Sequence, residues 1–168
     1  MFKRIISELK RVWSWLGGKR SEIHQLNYKD AFMAHLVLEI MQTSPKPKTK
    51  VVPLYSLIPI HPVDNREATI ESTKKRAGIL ATHKKKILKE GSMTKELSAK
   101  YLPSLTYIRG VSSGSEYYTF EGNGRVAALK AVFLKNDNLD IEIEVFQPKK
   151  QGKAIKKIKK LRRMHRML

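Results

Sequence analysis

The sequence contains no cysteine, which excludes disulfides, thiolate zinc sites and a cysteine nucleophile and leaves the redox compartment open. It also lacks long apolar runs. The longest, 31–41, is interrupted by His35 and Glu39, and it is shorter than the roughly 18–20 residues that cross a bilayer. Five histidines are scattered without paired ligand spacing, so no structural metal is expected. Residues 1–18 alternate charge with apolar side chains and have no continuous apolar middle, which argues against a secretory signal. The most telling scarcity is acid. Fifteen Asp and Glu stand against 34 Lys and Arg, a net charge of +19. Glu8 is the one acid among residues 1–20, and 149–168 contain none. Such a surplus favours polyanionic partners: nucleic acid, an anionic membrane face or nucleotide phosphates.

What is present suggests one domain with extensions, since the chain has 168 residues and 41% hydrophobic content. Residues 2–16 read as an amphipathic helix, with Phe2, Ile5, Ile6, Leu9, Val12, Trp13 and Leu16 on one face. Gly17 and Gly18 end it. A second helix over 28–42 carries one polar strip, His35, Glu39 and Gln42, and is apolar enough to be largely buried. Residues 44–48 read as a charged, proline-containing linker. Extension and linker thus occupy 1–49, the compact domain 50–147 and a basic tail 148–168.

Within the domain, 51–60 reads as an edge strand or strand ends because of Pro53 and Pro59. Residues 61–65 form a turn. A helix follows over 68–89, in one piece or broken at Gly78, and 92–96 can cap a further short helix. Strands at 104–109 and 117–120 should form a hairpin around a turn at 112–115. A helix over 123–134 and a half-buried strand over 139–146 complete the pattern, the latter alternating Ile141, Ile143 and Val145 with Glu142 and Glu144. The tail from Gln151 places apolar residues at every third position, which drifts around a helix and gives a weak stripe. The fold class is α/β in the α+β sense, a small mixed sheet with flanking helices.

The run Tyr118-Thr119-Phe120-Glu121-Gly122-Asn123-Gly124-Arg125-Val126-Ala127-Ala128-Leu129 carries the clearest chemistry. A strand enters a two-glycine turn and leaves as a helix. Glycines let a ligand approach the backbone, and the free amides and dipole of the helix start favour an anion. A cation in the first helical turn is unfavourable for the helix itself, so Arg125 points to a bound phosphate or carboxylate. The competing reading is an ordinary β-to-α turn with a surface arginine.

This run resembles the ParB/sulfiredoxin family, in which a strand leads through an acidic-or-glycine, Gly, variable, variable, Arg turn into a helix of small apolar residues. Residues 51–59 are similar to the family's opening strand and its exit, Arg66 stands where an arginine is common, and 139–146 matches the closing strand. The resemblance covers roughly 50–147. It implies a small α/β fold whose turn holds nucleotide phosphates, CTP in ParB-like members and ATP in sulfiredoxins, with or without Mg²⁺. Gly122, Asn123, Gly124 and Arg125 would then contact the phosphates, with Arg66 as an additional charge partner. Without cysteine, sulfinic-acid reduction is excluded. About twenty residues follow the closing strand, too few for the helix-turn-helix domain of partition proteins.

Three further groups compete with simpler readings. Glu121 could position a metal or water, or merely offset a nearby cation. His61 could contact phosphate or act as a base, or be a turn residue. Lys84, Lys85 and Lys86, together with Lys156, Lys157, Lys159, Lys160, Arg162 and Arg163 in the tail, are nucleic-acid candidates; otherwise they form a solvated helix face and a disordered tail. Aromatics do not interleave with these charges, so base stacking on single strands is not indicated. The N-terminal helix could lie on an anionic membrane surface, direct organellar import, or pack on the domain. The leading expectation is a cytoplasmic nucleotide- or phosphate-binding module that contacts DNA or RNA. Its alternatives are a ParB-like nuclease or nucleotide hydrolase using Glu121 with Mg²⁺, and a non-catalytic membrane- or nucleic-acid-associated protein with an empty site.

Overall fold

Strand Asp140–Phe146 alternates apolar and acidic side chains, and both of its edges are paired. Its Ile141, Ile143 and Val145 are buried as the alternation requires. The computed structural model describes residues 28–63, 67–102 and 107–167; the helix expected over 2–16, and Arg66, lie outside them. Numbered along the described chain, the elements are α1 (Tyr28–Thr43), β1 (Lys48–Pro53), β2 (Leu57–Pro59), α2 (Glu67–Glu90), β3 (Ser92–Met93) and α3 (Lys95–Tyr101). They continue with β4 (Arg109–Ser113), β5 (Glu116–Glu121), α4 (Asn123–Val132), β6 (Asp140–Phe146) and α5 (Gln151–Met164). The result is an α+β fold with a mixed sheet in the order β1-β6-β4-β5-β2. The short β3 lies parallel to the start of β6, ahead of β4.

Helices cover both faces of the sheet. On one, Leu80 and Ile87 of α2 and Val126, Ala128 and Leu129 of α4 pack with Ile141, Ile143 and Val145. On the other, Leu36 and Ile40 of α1 and Ala154, Ile158 and Leu161 of α5 pack with Val111, Tyr118, Phe120 and Phe146. Each fully buried aliphatic or aromatic side chain contributes roughly 1.5–3 kcal/mol, so both layers stabilise the sheet.

Several expectations are corrected. The apolar stripe expected to be weak in the basic tail is well defined: Gln151–Met164 is a helix, so the competing reading of a disordered tail does not hold there. Ala154, Ile158 and Leu161 follow the i, i+4, i+7 spacing of one helix face, and all three are buried. Likewise α1 is not largely buried. Leu36 and Ile40 are, but Tyr28 is 66% and Met41 42% exposed, because one sheet face contacts only one side of a helix. The core therefore extends across the limits drawn at residues 50 and 147. Helix α2 runs unbroken through Gly78, whose cost of about 1 kcal/mol is small against the packing of a 24-residue helix. Of the strand expected over 104–109, residues 104–106 lie outside the described residues; the described hairpin strand runs from Arg109 to Ser113, with Ser112 opposite Tyr117 and Ser113 opposite Glu116. A two-residue turn, Gly114-Ser115, suffices to join the strands, so the serines belong to the strand. The expected cap on α3 holds: the Thr94 hydroxyl accepts from the Leu97 amide.

Candidate functional site

The turn between β5 and α4 is built around Gly122. Its φ of 86° lies in the left-handed region that favours glycine. A β-carbon there would also come 2.9 Å from Nη2 of Arg125 and 2.9 Å from Cγ1 of Ile108. The carbonyl of Gly122 accepts from the amides of Arg125 and Val126, closing the first turn of α4. The amides of Asn123 and Gly124 come earlier, at positions with no intrahelical acceptor. Gly124 is more open: a β-carbon would meet Oγ1 of Thr73 at 3.5 Å and Nη1 of Arg76 at 3.6 Å. The start of α4 thus faces a threonine and an arginine of α2.

Asn123 is buried, and its side chain serves the fold. Its Oδ1 accepts from the Thr119 hydroxyl at 2.8 Å, and its Nδ2 donates to the His61 carbonyl at 3.4 Å. This ties β5 to the loop after β2. His61 is half-buried, with Nδ1 2.8 Å from the Pro62 carbonyl oxygen, as a turn residue would be.

Arg125 is 7% exposed, so it is not the surface arginine of the simpler reading. Its Nη2 donates to the Tyr107 carbonyl at 3.0 Å. Burial lowers its pKa from the ordinary value; Glu121 opposes the shift, and the neighbouring charges of Arg76 and Arg109 add to it. An arginine remains charged regardless, so the chain maintains a buried cation beneath the Gly122 turn. Arg109 lies alongside. Burial works to lower its pKa, but hydrogen bonds and charge from Glu144 and Glu121 outweigh that and raise it. Its Nε donates to Glu144 at 2.7 Å and its Nη1 to Glu121 at 3.2 Å. Glu121 therefore offsets Arg109 and Arg125, as in the charge-balancing reading. Among the described residues, no group of three or more His, Asp or Glu is arranged to hold a metal ion.

The turn therefore gathers Arg76, Arg109 and Arg125 around the start of α4 with Glu121 and Glu144. Sequence reasoning missed Arg76 and Thr73. A signal existed: Thr69, Thr73 and Arg76 continue, at i, i+4, i+7, the α2 stripe that becomes apolar at Leu80 and Ile87.

The lysine candidates divide. Lys84 donates to the Val132 carbonyl at 3.0 Å and pairs with Asp137 at 2.7 Å, fastening α2 to the end of α4. Lys85 and Lys86 are exposed. In α5, Lys157 pairs with Glu39 of α1, and Arg162 donates to the carbonyls of Pro59 and Met167. Lys156, Lys159, Lys160 and Arg163 are exposed. Among the described residues no helix is long and apolar enough to cross a membrane. No family model, curated protein or solved structure matches the chain.

Proposed function

We propose that this chain is a phosphate- or nucleotide-binding module of the ParB/sulfiredoxin kind, with nucleic acid as its polyanionic partner. The observation that carries the proposal is the start of α4. A left-handed Gly122 opens α4 next to the buried Arg125, and Gly124, in the first turn, lies beside Arg76 and Thr73. Backbone donors, a helix dipole and a guanidinium at one point favour a phosphate. Arg125 supplies fixed positive potential from beneath, and Arg76, half-buried on α2, is placed for direct contact.

The test is calorimetric titration of the whole chain with CTP, ATP and GTP, with and without Mg²⁺. The Arg76→Ala variant should bind about ten- to a hundredfold more weakly, the loss of one charge-assisted contact of roughly 1.5–3 kcal/mol. Unchanged affinity in that variant would remove the turn from the binding site. Arg76 is the better probe, because Arg125→Ala also deletes a buried hydrogen bond.

A further inference from the structure

Helix α5 has three differently employed sides. Its inner face, Ala154, Ile158 and Leu161, lies against the sheet. Its flanks fasten it in place: Gln151 donates to the Ser112 carbonyl at 2.6 Å, Lys157 pairs with Glu39, and Arg162 reaches Pro59. The outer face carries Lys153, Lys156, Lys159, Lys160 and Arg163, all exposed. At 100° per residue these five fall within an arc of about 120°, along a length of about 15 Å. The helix contains no acidic residue. Glu39, on α1, is the carboxylate whose pKa is lowered by hydrogen bonding to Lys157, with smaller charge effects from Lys157, His35 and Lys153. Lys160 also stands 5.5 Å over the Phe32 ring.

Five like charges on one face repel one another and destabilise the helix they share. A partner of opposite charge relieves that repulsion. An amphipathic basic helix enters a lipid surface through its apolar face, but here that face is already buried, with Ile158 and Leu161 at 0% exposure. Helix α5 also has no aromatic side chain on which unpaired bases could stack. What remains is a convex strip of pure cationic charge. That suits regularly spaced phosphates, and the B-form major groove is wide enough to admit a helix, whereas the A-form groove is too narrow.

We infer that the outer face of α5 is a sequence-independent docking surface for double-stranded DNA, with Lys153, Lys156, Lys159, Lys160 and Arg163 set against phosphates flanking the major groove. This rests on the nucleic-acid half of the proposed function and is independent of the turn at Gly122. Each phosphate neutralised contributes about −0.9 to the slope of log affinity against log salt, so five contacts give a slope of about −4.5.

The experiment measures fluorescence anisotropy of a mixed-sequence 20-base-pair DNA duplex titrated with the whole chain at several salt concentrations. Changing Lys156, Lys159 and Arg163 together to Glu should weaken binding more than tenfold. Changing the same three to Gln should flatten the salt slope by about 3 and keeps the test valid if the Glu variant folds poorly. The control reverses Lys85, Lys86 and Lys89 on α2, an equal change in net charge, and should weaken binding several-fold less. Equal losses in both sets would overturn the assignment by reducing it to net charge. So would tighter binding of an RNA duplex, or of vesicles of phosphatidylserine and phosphatidylcholine, at the same salt. Nucleotide titration of the Gln variant separates the two sites: its nucleotide affinity stays that of the wild type even if DNA binding is lost.

Discussion

Gly122 and Gly124, two residues apart in one turn, have different reasons to be glycine. At Gly122 a side chain meets both a positive φ and atoms of Arg125 and Ile108. Gly122→Ala should therefore destabilise the chain by about 1–3 kcal/mol, read as a lower urea midpoint. At Gly124 a β-carbon makes ordinary contacts and alanine has the higher helix propensity, so Gly124→Ala should leave stability unchanged or raise it by up to about 1 kcal/mol. It would nevertheless crowd the backbone where a phosphate is proposed to sit, and nucleotide affinity should fall. Loss of stability without loss of affinity at Gly124 would show that the residue serves the fold alone. The strand–turn–helix form of this turn was legible in the sequence because strand, glycines and helix start are contiguous. The inward position of Arg125 was not, because it depends on Tyr107 and Ile108, residues from another strand entry. Arg76 was hidden for a related reason: only tertiary packing brings α2 beside α4.

At the level of elements, local periodicity carried β6, α4 and α1 into the structure with small changes at their ends. It misjudged α5 because counting apolar residues at every third position obscures the i, i+4, i+7 set of Ala154, Ile158 and Leu161. The hairpin was displaced for another reason: serine is frequent in turns, but in β4 pairing with β5 decides the assignment. The consequence for α5 is measurable. If it is part of the core, Ile158→Ala should cost about 2–5 kcal/mol in urea unfolding. A cost below about 0.5 kcal/mol would make α5 a surface appendage. Lys84→Met should also destabilise, and it removes the ammonium that stands 5.7 Å over the Phe133 ring. That substitution removes the ion pair to Asp137 and leaves the Val132 carbonyl without this donor.

For the whole molecule, the junction of α1, the loop after β2 and the end of α5 contains a titrating group. His165 has a buried Nε2 without a hydrogen-bond partner. Burial lowers its pKa from the ordinary 6.5, His61 and Lys29 add to the lowering, and Asp30 opposes it. The unfolded chain therefore takes up this proton at higher pH than the folded one. Stability is full above the unfolded value and falls as pH drops through about 6.5 toward the lowered folded value. The melting temperature should decline between about pH 7.5 and 5.5, and His165→Gln should flatten that decline. An unchanged profile in the variant would assign the acid sensitivity to other groups.

Strand β6 has a further consequence, in time rather than in space. It is the last strand of the described chain, yet it pairs with β1, β3 and β4, placing Lys48 opposite Val145. A chain emerging from the ribosome cannot join β1 to the rest of the sheet until β6 has been made. Until then the apolar inner sides of α1, α2 and α4 wait without their central partner. Pairing across such separation in sequence is slow, and the waiting intermediate is the state most exposed to aggregation. The exceptional positive charge of the chain then has a second physical effect: mutual repulsion between unfinished copies keeps them apart while the sheet awaits its last strand.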